Sequence, residues 1–181
     1  MSYEPKVLSE QLLIVKRFIY HLTYHRGISA AYKERQMQNE FWTLTSDAHL
    51  LHATINWCMV FGSHSNPTHW KRLSRTKTPI HDQLFRDGLV TALGISGVDW
   101  QKYWTSMKDF RDKFAAHREL EFGKPVPNFD MALKVAFYYD QWVRKLIFPD
   151  TIEEPALESF ASSLQKTAVP FVEKLMEATT N

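Results

Sequence analysis

The chain has 181 residues, of which 44% are hydrophobic and 14% aromatic; this excludes a disordered polymer and suits one domain with a sizeable core. A net charge of +2 and an isoelectric point near 8.6 permit a polyanionic partner without demanding one. The single cysteine, Cys58, excludes an internal disulfide and fits a reducing, cytoplasmic setting, while the absence of an apolar signal core or of any apolar run near ~18 residues argues against secretion and membrane spanning.

In chain order, residues 5–25 read as a first helix. Pro5 suits its first turn, Val7, Leu8, Leu12, Val15, Phe18, Ile19 and Leu22 carry the helical period, and Gly27 is the expected stop. Residues 28–38 read as a loop or a short turn of helix. Residues 39–61 form a second long helix, apolar on most faces and therefore central, with Asp47, His49, His52, Thr54 and Asn56 as polar interruptions. Residues 62–67, GSHSNP, are loop by composition. A short helix at 68–73 opens a basic stretch in which Lys71, Arg72, Arg75 and Lys77 place four cations in seven residues. Thr78-Pro79 starts a helix that runs to Gly94 through Ile80, Leu84, Phe85, Leu89 and Leu93.

The stretch from Gly97 to Glu121 reads as one uninterrupted helix. Ser96 is placed to cap it, with Asp99 answering as in a capping box. Trp100, Tyr103, Trp104, Met107, Phe110 and Phe114 recur at spacings of three and four, giving one aromatic face. That face ends on His117, amid Arg111, Asp112, Lys113 and Arg118. Ala115 and Ala116 leave room for another backbone. A stiff Gly123–Pro127 loop follows, then a helix at 129–148 capped by Asn128, and a last helical region from Pro155 to about Ala178 that Pro170 is expected to break or kink. The expected architecture is an all-α, single-domain bundle of five or six helices, with its core over residues 5–150 and a helical extension over 151–181.

Two histidine pairs stand at helical spacing, His21 with His25 and His49 with His52. Each pair shares a helix face, but neither comes with the Glu-x-x-His pairing of di-iron helices or a second cysteine, so no metal or other cofactor is expected. No glycine-rich phosphate loop and no serine or cysteine nucleophile motif is present, and Cys58 in its apolar helix reads as a small core residue. The basic run fits either a phosphate-contacting segment or a solvated loop. Arg111 and His117 carry the sharper signal. RNA cleavage without a metal needs a base at the 2′-hydroxyl, an acid for the leaving 5′-oxygen and a cation for the pentacovalent phosphorane. Histidine titrates in the range of the first two roles and arginine matches the phosphate. Six residues apart, the two differ by ~120° in azimuth and ~9 Å in rise on a straight α-helix, so one helix aims them poorly at one atom. Two copies of the helix end around a two-fold axis would surround a phosphate. The bland counterpart is an arginine in a surface ion pair and a histidine at a core edge.

An arginine, a polar residue, four more, then a histidine, late in a long helix of an all-α chain, resembles the signature of the HEPN superfamily. The residues FRDKFAAHRE, preceded by FWTLTSDAHL and FGSHSNPTHW, are similar to the abortive-infection (AbiU-type) members of phage defence, over roughly residues 5–150. The resemblance implies a metal-independent endoribonuclease, commonly a homodimer with a composite site, in anti-phage or toxin–antitoxin systems. It makes Arg111 and His117 catalytic, with Asp112 orienting one of them. Lys113 and Arg118 would add local positive potential, and Lys71, Arg72 and Arg75 would guide the RNA. Partners would be RNA, a second copy and an antitoxin or defence protein. Some members have lost catalysis, so a non-catalytic helical module binding nucleotides or partners stands beside the ribonuclease reading.

Overall fold

The computed structural model describes residues 3–36, 38–74, 79–117 and 123–179. Six α-helices appear among them, with no strand: α1 (Pro5–Glu34), α2 (Glu40–Phe61), α3 (Pro79–Leu93), α4 (Gly97–Phe110), α5 (Phe129–Leu146) and α6 (Leu157–Ala178). A 3-10 turn at Trp70–Arg72 stands where the short helix was expected. The all-α expectation holds.

The first correction concerns α1, which passes straight through Gly27 and continues to Glu34. Glycine in a helix interior costs about 1 kcal/mol relative to alanine, and packing offsets that cost here. Gly27 is buried, and a Cβ there would meet Val169 and Val172 of α6 at 3.6 and 3.9 Å, so the bare backbone lets α6 lie close. Ile28 and Ala31, beyond the glycine, bury themselves with Trp42, Val172 and Met176 in a second small core. The second correction concerns α6. It is not broken at Pro170, whose ring lies on the exposed side of a continuous helix. The proline removes one amide donor, but the carbonyl it leaves belongs to exposed Lys166, where water can serve it.

The main core gathers one face of each helix. Phe18 and Ile19 of α1, Trp57 and Phe61 of α2, Phe85 of α3, Met107 and Phe110 of α4, and Tyr139 and Val143 of α5 are all buried. Its polar members are satisfied. Buried Gln11 donates to the carbonyls of Thr68 and His69 and accepts from the Tyr139 hydroxyl at 2.5 Å, which ties α1, the 62–69 loop and α5 together. Asp140, 2% exposed, accepts from Arg144 of its own helix and from the Leu157 amide at the start of α6. Arg144 in turn donates to the carbonyls of Ile152, Glu154 and Pro155. The 147–156 connection is thereby wrapped around one ion pair.

Candidate functional site

α4 begins as its residues dictate. The Ser96 hydroxyl accepts the Asp99 amide at 3.1 Å and donates to the Asp99 carboxylate at 2.6 Å. The aromatic face then turns inward. Tyr103 donates to the carbonyl of Asn128, Trp104 donates to that of Phe61 at 2.8 Å, and Met107 and Phe110 are buried.

The continuous 97–121 helix is not what forms. The α-winding ends at Phe110, and residues Arg111–Ala116 take the wider π-winding. The His117 amide closes it by donating to the carbonyl of Asp112, five residues back, at 3.1 Å. His117 itself is extended, at φ −129° and ψ 123°. The ring of Phe114 stacks on that of buried Phe110, with centroids 4.9 Å apart, and this turn packs against α2. Isolated π turns in α-helices are rare and concentrate where function requires an altered aim of side chains. On an α-helix, Asp112 and His117 would be ~140° apart, at ~100° per residue; the wider turn instead stacks the histidine's backbone over that of the aspartate.

The Arg111 side chain is 20% exposed, and both its Nε and a terminal nitrogen reach one carboxylate oxygen of Asp112, the first at 2.6 Å. Neighbours in sequence do not face each other on an α-helix; the pairing belongs to this altered turn. Arg111 is held edge-on by its neighbour, with Asp112 half exposed and His117 exposed at the exit of the turn. Arg111 also lies near enough to oppose, slightly, the effect of burial on Cys58, whose thiol is pushed up to about 12. Cys58 is fully buried, as its apolar surroundings suggested, and in that state it is no nucleophile.

The remaining sequence candidates fall in two places. Lys113 stays on the π turn, where its charge helps hold the Asp109 carboxyl below its usual range, after the larger effect of Lys124. Lys71 and Arg72 belong to the 3-10 turn. Lys71 pairs with Asp82 at 2.5 Å and lies over the Trp70 ring, and Arg72 donates to the carbonyl of His64. Arg75 and Arg118 lie outside the described residues.

The histidines pair differently from their sequence spacing. His21 and His49 approach across the α1–α2 interface, Nδ1 to Nδ1 at 2.8 Å, with His52 stacked on His21. Burial, then the neighbouring imidazoles, lower His21 to about 4. His25 instead bonds the carbonyl and hydroxyl of Ser46. His69, buried, accepts the Lys71 amide on Nδ1, so its Nε2 carries the proton and donates to Nδ1 of His64 at 3.3 Å. Burial lowers His69 to about 3, with His64 and nearby cations adding to it. Two histidines five residues apart in a loop offered no periodicity from which to read this pair. Among the described residues no three His, Cys, Asp or Glu side chains are grouped to hold a metal ion.

Compared with protein-family models, with curated proteins and with solved structures, the chain matches none.

Proposed function

We propose that this chain is a metal-independent endoribonuclease of the HEPN type, acting on cytoplasmic RNA as a homodimer in phage defence or a toxin–antitoxin pair. One observation carries the reading: Arg111 is gripped by Asp112 on a π turn whose exit presents an exposed His117. The reaction needs nothing more elaborate. A neutral imidazole takes the proton of the 2′-hydroxyl as that oxygen attacks phosphorus. The bond to the 5′-oxygen breaks, and an imidazolium returns a proton to the leaving oxygen. The products are a 2′,3′-cyclic phosphate and a 5′-hydroxyl. Arg111 neutralises the charge that builds on the phosphorane, and Asp112 keeps its fork from swinging away.

The reaction uses a base and an acid, and one chain brings one His117. A second copy, its π turn facing the first across a two-fold axis, supplies the other. Half-buried Ala115 and exposed Ala116 are the small residues that would let the two turns approach. The test is incubation of the purified protein with labelled total RNA in chelator, with mapping of the cut ends and light scattering of the protein at micromolar concentration. Cyclic or 3′-phosphate ends and a dimer are expected. Cleavage that vanishes in chelator and returns with a divalent ion, or an active monomer, overturns the proposal.

A further inference from the structure

A cavity of about 330 Å³ opens between the 62–70 loop, α3 and the first half of α4. Its size falls at the lower end of small-ligand sites. Its walls are unusually aromatic: Phe61, Trp70, Trp100 and Trp104 all line it. Trp70 is already stacked on Phe85 at 4.0 Å, which leaves the two α4 indoles as the remaining aromatic walls. Trp104 is held in place by its bond to the Phe61 carbonyl, and Lys108 sits over its ring at 4.6 Å. The mouth is polar, with exposed Arg86 and Gln101. Arg86 lines the cavity, Lys108 reaches it over the Trp104 ring, and Lys71 on the 3-10 turn is paired with Asp82. Of the acidic groups nearby, Asp82 is paired with Lys71 and Asp87 accepts from Gln83.

Flat aromatic walls, amide-bearing side chains at the mouth and the two cations Arg86 and Lys108 together describe one ligand chemistry, a planar heterocycle carrying phosphate. A purely apolar ligand would leave the charged mouth unpaired, and a bare anion would not use the indoles. We infer that this cavity binds the base of an unpaired nucleotide, with its phosphate toward Arg86 and Lys108. Stacking on aromatic side chains is how single strands are held without duplex. Position favours an RNA strand as the source, an assignment that rests on the ribonuclease reading above. Trp104 and Lys108 stand one turn apart on α4, and Arg111 follows three residues on as the first residue of the π turn, ~10 Å of helix rise beyond Trp104. A base seated at Trp104 therefore leaves a neighbouring phosphate of the same strand within reach of Arg111. A free nucleotide acting as an effector has the same recognition chemistry.

The test reads binding in the His117→Ala protein, so RNA stays intact and catalysis plays no part. The probes are a labelled single-stranded hexaribonucleotide, its blunt duplex, and the four nucleoside 5′-monophosphates as competitors. Two variants probe the cavity. Trp100→Ala removes a wall. Gly97→Leu plugs the mouth from a position where an added Cβ meets nothing within 4 Å, and as a helix residue leucine is the better former. The single strand is expected to bind at least tenfold more tightly than the duplex and to be displaced by mononucleotides. Each variant should weaken binding by about tenfold, within the range of one stacked base, with the Gly97→Leu melting temperature unchanged. A hexamer that outbinds the mononucleotides assigns the cavity to an RNA strand; equal affinities assign it to a free nucleotide. Absence of nucleotide binding, or full affinity in Gly97→Leu, overturns the inference. A wild-type protein that binds nucleotide in this cavity yet leaves RNA uncut would count against the ribonuclease reading alone.

Discussion

Acidification should destabilise this fold well before its carboxylates titrate, and His69 supplies most of the effect. The imidazole is 1% exposed, accepts an amide hydrogen on Nδ1, and charges only near pH 3 in the folded chain. In the unfolded chain it charges near 6.5. Between those values the unfolded state holds the extra proton. The stability that comes from keeping His69 neutral is therefore fully present above 6.5 and is lost as pH falls toward 3. At pH 4.5, two units below the unfolded value, the loss is about 2.7 kcal/mol, at about 1.36 kcal/mol per unit. His21, lowered to about 4 but half exposed, adds about 1 kcal/mol once solvent screening is allowed for. His25, His49 and His64 are shifted the same way. The depressed carboxyls, Asp99 and Asp109, act only below about pH 4. A loss of about 3–4 kcal/mol is a large share of a typical 5–15 kcal/mol stability and corresponds to a fall of roughly 10 °C in melting temperature. Thermal unfolding followed by circular dichroism at pH 7.0, 6.0, 5.0 and 4.5 reads it directly. His69→Gln keeps a hydrogen-bonding side chain without the titration, so its midpoint should decline distinctly less across the same range. A wild-type midpoint that holds from pH 7.0 to 4.5, or an identical slope in the variant, would refute the reasoning.

Other outcomes follow from single contacts. Asp140→Ala strands the buried amide of Leu157 and leaves Arg144 without its carboxylate, and should cost about 3 kcal/mol in denaturant unfolding; a loss below about 1 kcal/mol would mean that water replaces the pair. Cys58, with its thiol pushed up to about 12 by burial, should resist iodoacetamide at pH 8 in the folded protein and react once unfolded. Rapid alkylation of the native chain would place it at an accessible surface.

The regular elements were legible because their apolar period is local. α2, α3 and α5 end within about two residues of where caps, prolines and glycines put them, and Ser96 caps α4 as its spacing with Asp99 suggested. Gly27 and Pro170 misled for a shared reason. Each is a helix breaker by local propensity, and each is overruled by what its helix packs against, Val169 and Val172 of α6 in the one case and Ile28, Ala31 and Trp42 in the other. The π turn was beyond reading, since a change from i→i+4 to i→i+5 winding leaves the aromatic spacing of Phe110 and Phe114 intact. The histidine contacts were equally hidden: His21 and His49 stand 28 residues apart and meet only because α1 and α2 lie side by side. Arg111, Asp112 and His117 could be picked out by residue type, yet the grip of Asp112 on Arg111 is a product of the fold.

The most direct measurement is the RNA cleavage rate of wild type, His117→Ala and Arg111→Ala in chelator, taken beside each protein's thermal midpoint. Removing a proton-transfer group typically costs ~10²–10⁴ in rate. Because the His117 side chain is exposed, its loss should barely move the midpoint. The account predicts that cleavage by wild type leaves 2′,3′-cyclic phosphate or 3′-phosphate ends and that both variants lose it by at least a hundredfold, with His117→Ala melting as wild type does. Cleavage undiminished in His117→Ala, or a wild-type protein that leaves every RNA intact as a dimer in solution, would contradict it.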